Sequence, residues 1–251
     1  MSDIISSSQF LLLLGLLAAH LIADFLLQNK SHLKQRYSER YKSKWLYLHG
    51  SIAGLLAYLV VWQWYAFWIF LVIAISHIVI DLLKSYYKDS ATSFIIDQFC
   101  HFIIILICWI ILIKAIPLGI IDKSFSNFIM LRLVVMCLSY FIIIWPASYF
   151  IEKFTDSWRK QIIPDLDEGL YKAGVWIGRL ERILILTFIL QDQYAAVGFL
   201  IAAKSILRFG DTNPKAKRKL AEYILIGTLL SFLIALLIGF LANFLLSEYG
   251  K

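Results

Sequence analysis

Charge is scarce in this chain, and so are the devices of a secreted or soluble protein. Asp, Glu, Lys and Arg together make up 16% of 251 residues. The three cysteines, Cys100, Cys108 and Cys137, form no C-x-x-C pair and show no secreted-domain spacing. Each falls inside an apolar run, where a free cysteine is packing filler. There is no low-complexity stretch, no convincing internal repeat, no glycine-rich phosphate loop and no polar segment long enough for a soluble domain. The first apolar stretch lacks the basic leader of a secretory signal and is followed by a dense basic segment, so it reads as a retained span.

What is present is apolar surface. Hydrophobic residues reach 61% and mean hydropathy is +0.76, against roughly 45–50% apolar residues in a soluble domain. Such a chain is expected to fold in lipid. Trp45, Tyr47, Trp62, Trp64, Tyr65, Tyr86 and Tyr87 crowd the ends of the apolar runs, as rings at headgroup depth do. Spanning about 30 Å of hydrocarbon takes about 20 residues. Eight stretches qualify, near 9–28, 45–62, 64–84, 93–113, 127–150, 174–191, 194–209 and 220–246. The sixth and seventh are split only by Gln191, Asp192 and Gln193, which predicts a tight helical hairpin.

The basic residues alternate between loops. Lys30, Lys34, Arg36, Arg40, Lys42 and Lys44 fill the first, Lys84 and Lys88 the third, Lys153, Arg159, Lys160 and Lys172 the fifth, and Lys215, Lys217, Arg218 and Lys219 the seventh. The other side has little beyond Lys114, Lys123 and Lys251. By the positive-inside rule the odd loops are cytoplasmic and both termini lie outside. The expected fold is an all-α polytopic bundle, N-out and C-out. Its expected organisation is a four-span, His/Asp-rich domain over 1–115 and a four-span domain over 116–251, with a polar linker at about 152–172 that carries Pro164, Gly169, Asp165, Asp167 and Glu168. The net charge of +7 then belongs to topology and anionic headgroups rather than to nucleic acid.

Seven ionisable side chains lie within the first four spans: His20, Asp24, His49, His77, Asp81, Asp97 and His101. Such groups are costly in lipid and mark function by default. His20/Asp24, His77/Asp81 and Asp97/His101 are i, i+4 pairs on one helix face. The order is His then Asp on spans running inward and Asp then His on the span running outward. Each Asp is therefore shallow and each His about a turn deeper, with His49 also a turn inside the boundary. That mirror predicts one shared site near the cytoplasmic face.

Imidazole and carboxylate together suit a divalent transition metal, Zn or Mn first and Fe also, as one ion or a pair. All seven are candidate ligands, and one of Asp24, Asp81 and Asp97 could instead be the general base. Two other readings stay open: an interhelical His–Asp hydrogen-bond network, and a proton or ion path. His32, in the basic segment, is read as solvated or lipid-facing.

The ordered motifs HLIADFLLQ (His20 to Gln28), the lone His49, HIVIDLLK (His77 to Lys84) and DQFCH (Asp97 to His101) resemble an uncharacterised family of bacterial multi-pass membrane proteins. The resemblance covers roughly the first 115 residues and implies a bacterial cytoplasmic-membrane location, with no activity to carry over. In style the motifs are also similar to predicted membrane-bound metal-dependent hydrolases.

A second set of charges lies in the last three spans: Arg179, Glu181, Arg182, Lys204, Arg208 and Glu222. Lys204 and Arg208, with Arg182, are candidates for gripping an anion; pairing of Glu181 with Lys204 is the competing structural reading. Ser205, Thr228 and Ser231, and Gly174, Gly178, Gly198 and Gly227, are read as residues that let spans approach closely. The leading functional expectation is a metal-dependent hydrolase acting on a lipid or lipid-linked phosphate or ester. The alternatives are a metal-ion or proton transporter, and a non-catalytic sensor or assembly partner.

Overall fold

The computed structural model describes residues 6–115, 128–162, 168–208 and 216–249. Among these the chain is all-helical, as backbone in hydrocarbon must be when its polar groups have only one another to bond. The helices are α1 (Ser7–Phe25), α2 (Lys30–Glu39), α3 (Lys44–Val61), α4 (Trp68–Lys84), α5 (Ala91–Ala115), α6 (Phe128–Ile144), α7 (Pro146–Ile162), α8 (Glu168–Leu190), α9 (Tyr194–Arg208) and α10 (Ala216–Tyr249). Short 3₁₀ turns at Arg40–Lys42 and Trp64–Ala66 lead into α3 and α4.

Six helical segments are long and apolar enough to cross a membrane: Ser7–Phe25, Lys44–Val61, Trp64–Lys84, Ala91–Ala115, Ile129–Gln161 and Leu220–Tyr249. This is the makeup of a multi-pass integral membrane protein. The expected sixth and seventh spans do form helices, α8 and α9, but neither joins the six. Arg179, Glu181 and Arg182 interrupt the apolar run of α8, and α9 has only 15 residues, about 22 Å of rise. The expected hairpin between them is present: Asp192 takes a left-handed φ of 56°, and Gln193 N–H donates to the Phe188 carbonyl at 2.7 Å.

The chain divides into two compact units, Met1–Val134 and Val135–Lys251. In the first, α1 packs on α3 and α5, and α4 packs on the same two helices, closing a four-helix ring. Ser6 and Gln9 form a reciprocal capping box at the start of α1, satisfying two of its orphan N–H groups. Leu12, Leu16, Ala53, Ala57, Ile69, Ile73, Cys108, Trp109 and Leu112 fill the ring. Trp109 Nε1 donates to the Gln9 carbonyl at 2.7 Å. Outward-facing Leu55, Ile75, Ile96, Phe99 and Ile107 are exposed, as apolar side chains facing lipid would be.

The contact of α3 with α4 is the most extensive in the ring. A Cβ on Gly54 would meet the Phe70 carbonyl oxygen at 2.5 Å and Ala74 Cβ at 2.9 Å; one on Gly50 would meet Ile78 Cγ1 at 2.4 Å and the Ala74 oxygen at 3.0 Å. Only glycine lets the two backbones approach so far.

In the second unit α8 packs against α7, α9 and α10, around Ile185, Ile189, Val197, Phe232 and Ala235. Pro146, which cannot donate a backbone N–H, breaks α6 from α7. Gly239 seats Ile189, whose Cδ1 would lie 2.7 Å from an added Cβ. The glycines expected to serve close approach behave differently: Gly174, Gly198 and Gly227 have nothing within 4 Å of an added Cβ, and Gly178 faces only the Arg182 side chain. Helical spacing alone does not reveal which glycines have a neighbour.

Candidate metal centre

Antiparallel connection puts the end of α1, the start of α3, the end of α4 and the start of α5 at one end of the ring. Asp24, His49, Asp81 and Asp97 stand within about two turns of those helix ends. The seven residues singled out in the sequence converge there. All are nine-tenths or more buried at the side chain. Among the described residues every buried histidine and carboxylate of the first unit belongs to this group.

Its centre is a triangle. His77 Nε2 lies 3.0 Å from His49 Nε2 and 3.1 Å from Asp24 Oδ1, and His49 Nε2 lies 3.2 Å from that same oxygen. Ligands at about 2.0–2.1 Å from a Zn ion, at tetrahedral angles, stand roughly 3.3–3.4 Å apart. The triangle therefore has the size of one face of such a coordination sphere. Asp24 Oδ1 is buried and makes no hydrogen bond, although carboxylate oxygens in such a setting are normally saturated.

A second group adjoins it. Asp97 Oδ1 and His101 Nε2 face each other at 3.6 Å, and both are buried without a hydrogen-bond partner. Ligand atoms of Asp24, Asp97 and His101 lie within 4.8 Å of one another, as do those of His20, His77 and His101. The His77 and His101 rings stack at 4.1 Å between centroids. Three orphaned polar atoms aimed into one buried cluster are what a donor set shaped for cations leaves. The residues present thus fit one ion, with donors for a neighbouring one.

Not every predicted ligand stands free. Gln98 donates through Nε2 to Asp24 Oδ2 at 2.9 Å and to Asp97 Oδ2 at 3.2 Å. Its Oε1 consequently faces His20 Nε2 at 3.3 Å, and since an amide oxygen carries no proton, His20 donates there. His20 therefore sits beside the triangle with its Nε2 engaged. Asp81 Oδ2 is 3.6 Å from His49 and 3.7 Å from His77 and accepts from Arg36 Nη1. Lys84 Nζ donates to Asp97 Oδ2 at 2.7 Å.

Arg36, Lys84 and Gln98 are site residues that sequence reasoning missed. Lys84 and Gln98 were inside the quoted motifs, next to residues singled out. Arg36 had no such signal: it is one of six cations in the basic segment and looks like the rest. The first part of that segment is the helix α2, capped by the Asn29 side chain and packed on α3, and among its described side chains Arg36 is the buried charge. On the same helix Tyr37 has a buried hydroxyl with no hydrogen-bond partner, and burial, reinforced by Asp89, pushes its phenol up to about 12. His32 stacks on Trp45 with centroids 3.4 Å apart.

Residues 12–121 match the family described as Protein of unknown function (DUF3307). No curated protein and no solved structure matches the chain. The matched stretch holds every residue of the triangle and its neighbours, together with Arg36, Lys84 and Gln98. The match is to an uncharacterised family, as the four motifs led one to expect, and the cluster lies within the matched residues.

The second unit gathers its charges differently. Lys204 Nζ donates to Glu181 Oε2 at 2.5 Å, the pairing that competed with anion binding. Arg182, 3% exposed, donates to the Ile143 carbonyl at 2.7 Å, to Ser231 Oγ at 2.9 Å and to Ser148 Oγ at 2.5 Å. Arg179 Nε also reaches Ser148 Oγ, at 3.3 Å. The Arg208 side chain, Pro164, Asp165 and Asp167 lie outside the described residues.

Proposed function

We propose that the chain is a membrane-embedded, metal-dependent enzyme, a hydrolase acting on a lipid or lipid-linked phosphate or ester. The observation that carries this reading is the 3.0–3.2 Å triangle of His49 Nε2, His77 Nε2 and Asp24 Oδ1, with the orphaned Asp97 Oδ1 and His101 Nε2 beside it. His49, His77 and Asp24 would hold the first Zn or Mn ion. Asp97 and His101 would serve a second. Such an ion supplies an acidified water and polarises a phosphoryl or carbonyl oxygen.

The chain's own residues do the rest. Gly50 and Gly54 set the separation of His49 from His77. Gln98 orients two carboxylates and His20 at once, the outer-shell support that metal ligands need. Asp81, held by Arg36, is a carboxylate able to accept a proton from the attacking water, which leaves Asp24 and Asp97 as ligands. In the accompanying topology, eight segments cross or enter a bacterial cytoplasmic membrane with both termini outside. The cluster then faces the cytoplasm, roughly 6–12 Å inside the boundary, where a lipid enters from the side. The apolar packing of Leu12, Leu16, Ile69 and Leu112 in the rest of the ring offers no polar route onward, which favours chemistry at one face over transport.

Elemental analysis of the detergent-purified protein tests this, beside His77→Ala and Asp24→Asn. One or two equivalents of metal in the parent, lost in both variants while helicity is kept, is the expected result. A parent protein that holds no metal even after reloading with Zn or Mn overturns it.

A further inference from the structure

Two cations stand against the cluster without belonging to the ligand set, and both bind the carboxylates farthest from the triangle. Arg36 reaches in from α2, outside the ring, to Asp81. Lys84, three residues beyond Asp81 toward the end of α4, reaches Asp97 at 2.7 Å. Arg36 is 3% exposed and its Nε is buried with no hydrogen-bond partner. One guanidinium N–H beside Asp81 is therefore buried and unused.

Charge decides what this edge can take. With the imidazoles neutral, as ligands must be, Asp24, Asp81 and Asp97 outnumber Arg36 and Lys84 by one. A single divalent cation reverses that excess to one positive charge, and a second raises it to three. Excess charge of one sign is not tolerated in a buried site of low dielectric. A neutral ester would leave it standing, whereas a phosphoryl anion offsets it: a monoanion cancels the single charge of the one-ion site, and a dianion lowers the charge of the two-ion site from three to one. As a cation draws Asp81 and Asp97 toward itself, the donors of Arg36 and Lys84 are released together, and Arg presents the planar fork that matches phosphate oxygens.

Resting on the metal reading above, we infer that the site takes a phosphoryl anion, held by Arg36 and Lys84 at the edge of the cluster nearest the headgroups. The substrate is then a phosphate ester rather than a carboxylic ester. A lipid headgroup and a free phosphate share this chemistry.

The full-length protein in detergent, loaded with Mn(II) and its Mn content measured, is titrated with inorganic phosphate and separately with dodecyl phosphate while ³¹P relaxation is followed. Bound Mn speeds relaxation of a phosphorus nucleus held beside it, with no turnover required. Saturable enhancement is expected, with affinity about tenfold weaker in Lys84→Gln and in Arg36→Lys at unchanged Mn content. Arg36→Lys keeps the charge of a buried position, and Lys84→Gln supplies an independent variant should the first fail to fold. Tighter binding of dodecyl phosphate assigns the site to headgroups; equal binding assigns it to free phosphate. Mn retained without saturable enhancement overturns the phosphoryl assignment and leaves the metal centre standing. Enhancement that both variants preserve overturns the roles of Arg36 and Lys84. No Mn bound overturns the metal centre and this inference with it.

Discussion

Both units bury charge in an apolar surrounding, and they neutralise it in opposite ways. In the second unit the donors are met from within the chain. Arg182 spends its hydrogens on a carbonyl and two hydroxyls, and Lys204 closes on Glu181. In the first unit Asp24 Oδ1, Asp97 Oδ1 and His101 Nε2 converge with no hydrogen bond made to any of them. An unmet buried polar group costs about 1–3 kcal/mol, and three of them together are the observation on which the proposed metal centre rests. The presence of ionisable residues in apolar runs does not distinguish the two regions. Whether the groups brought together find hydrogen-bond partners within the chain does.

The largest expected effect follows from that difference. Metal should stabilise the parent protein by about 4 kcal/mol at a concentration a thousandfold above its Kd, and Asp24→Asn should remove this stabilisation entirely. Without metal, Asp24→Asn should be no less stable than the parent, because it replaces an unmet buried carboxylate oxygen with an amide N–H that the facing His49 or His77 nitrogen can accept, and keeps an oxygen for Gln98. Thermal unfolding in detergent, with metal and with chelator, measures both. Equal metal stabilisation in the two proteins would erase the contrast between the units.

Arg182→Ala is the matching experiment in the second unit. It should cost roughly 2–4 kcal/mol, because the Ile143 carbonyl and Ser231 lose a charged donor, and the loss should be the same with or without metal. A metal-dependent loss would mean that Arg182 serves the first unit's chemistry.

The glycines extend the comparison to packing. Gly54→Leu should cost about 1–3 kcal/mol through overpacking and also weaken metal binding, since any widening of the α3–α4 contact separates His49 from His77. Gly198→Ala, with nothing within 4 Å of the added atom, should be neutral or stabilising by about 0.5–1 kcal/mol. Unfolding midpoints and metal titrations of the two variants check this. A Gly54 variant that keeps its metal affinity would show that the triangle does not depend on the close backbone approach.

How much of this was legible in the sequence follows from which physical rules act locally. Helical periodicity, with the alternating direction of successive spans, was enough to bring seven residues from four helices to one end of a bundle. The Gln191–Gln193 hairpin was readable because three polar residues cannot lie mid-span. Arg36 was not, because composition treats every cation of a basic segment alike, while the fold tucks one of them against Asp81. Gly54 was not, because only the partner helix shows which glycine is touched. Hydropathy also gave α8 and α9 the weight of full spans. It sums charge along a helix and cannot see that Arg182 and Glu181 are neutralised from α6, α7, α9 and α10.

The smallest expected effect concerns that last neutralisation. Lys204 is about a quarter exposed at its side chain and Glu181 about an eighth, so water screens part of their attraction. Their coupling, measured by a double-mutant cycle of Glu181→Gln and Lys204→Met on unfolding in detergent, should be about 1 kcal/mol. Added phosphate should leave it unchanged, because Lys204 already has its counterion. If phosphate stabilised Glu181→Gln more than the parent, Lys204 would be a latent anion-binding group, held in check by its neighbour in the way that Asp81 and Asp97 hold Arg36 and Lys84. The two units would then differ in degree rather than in kind.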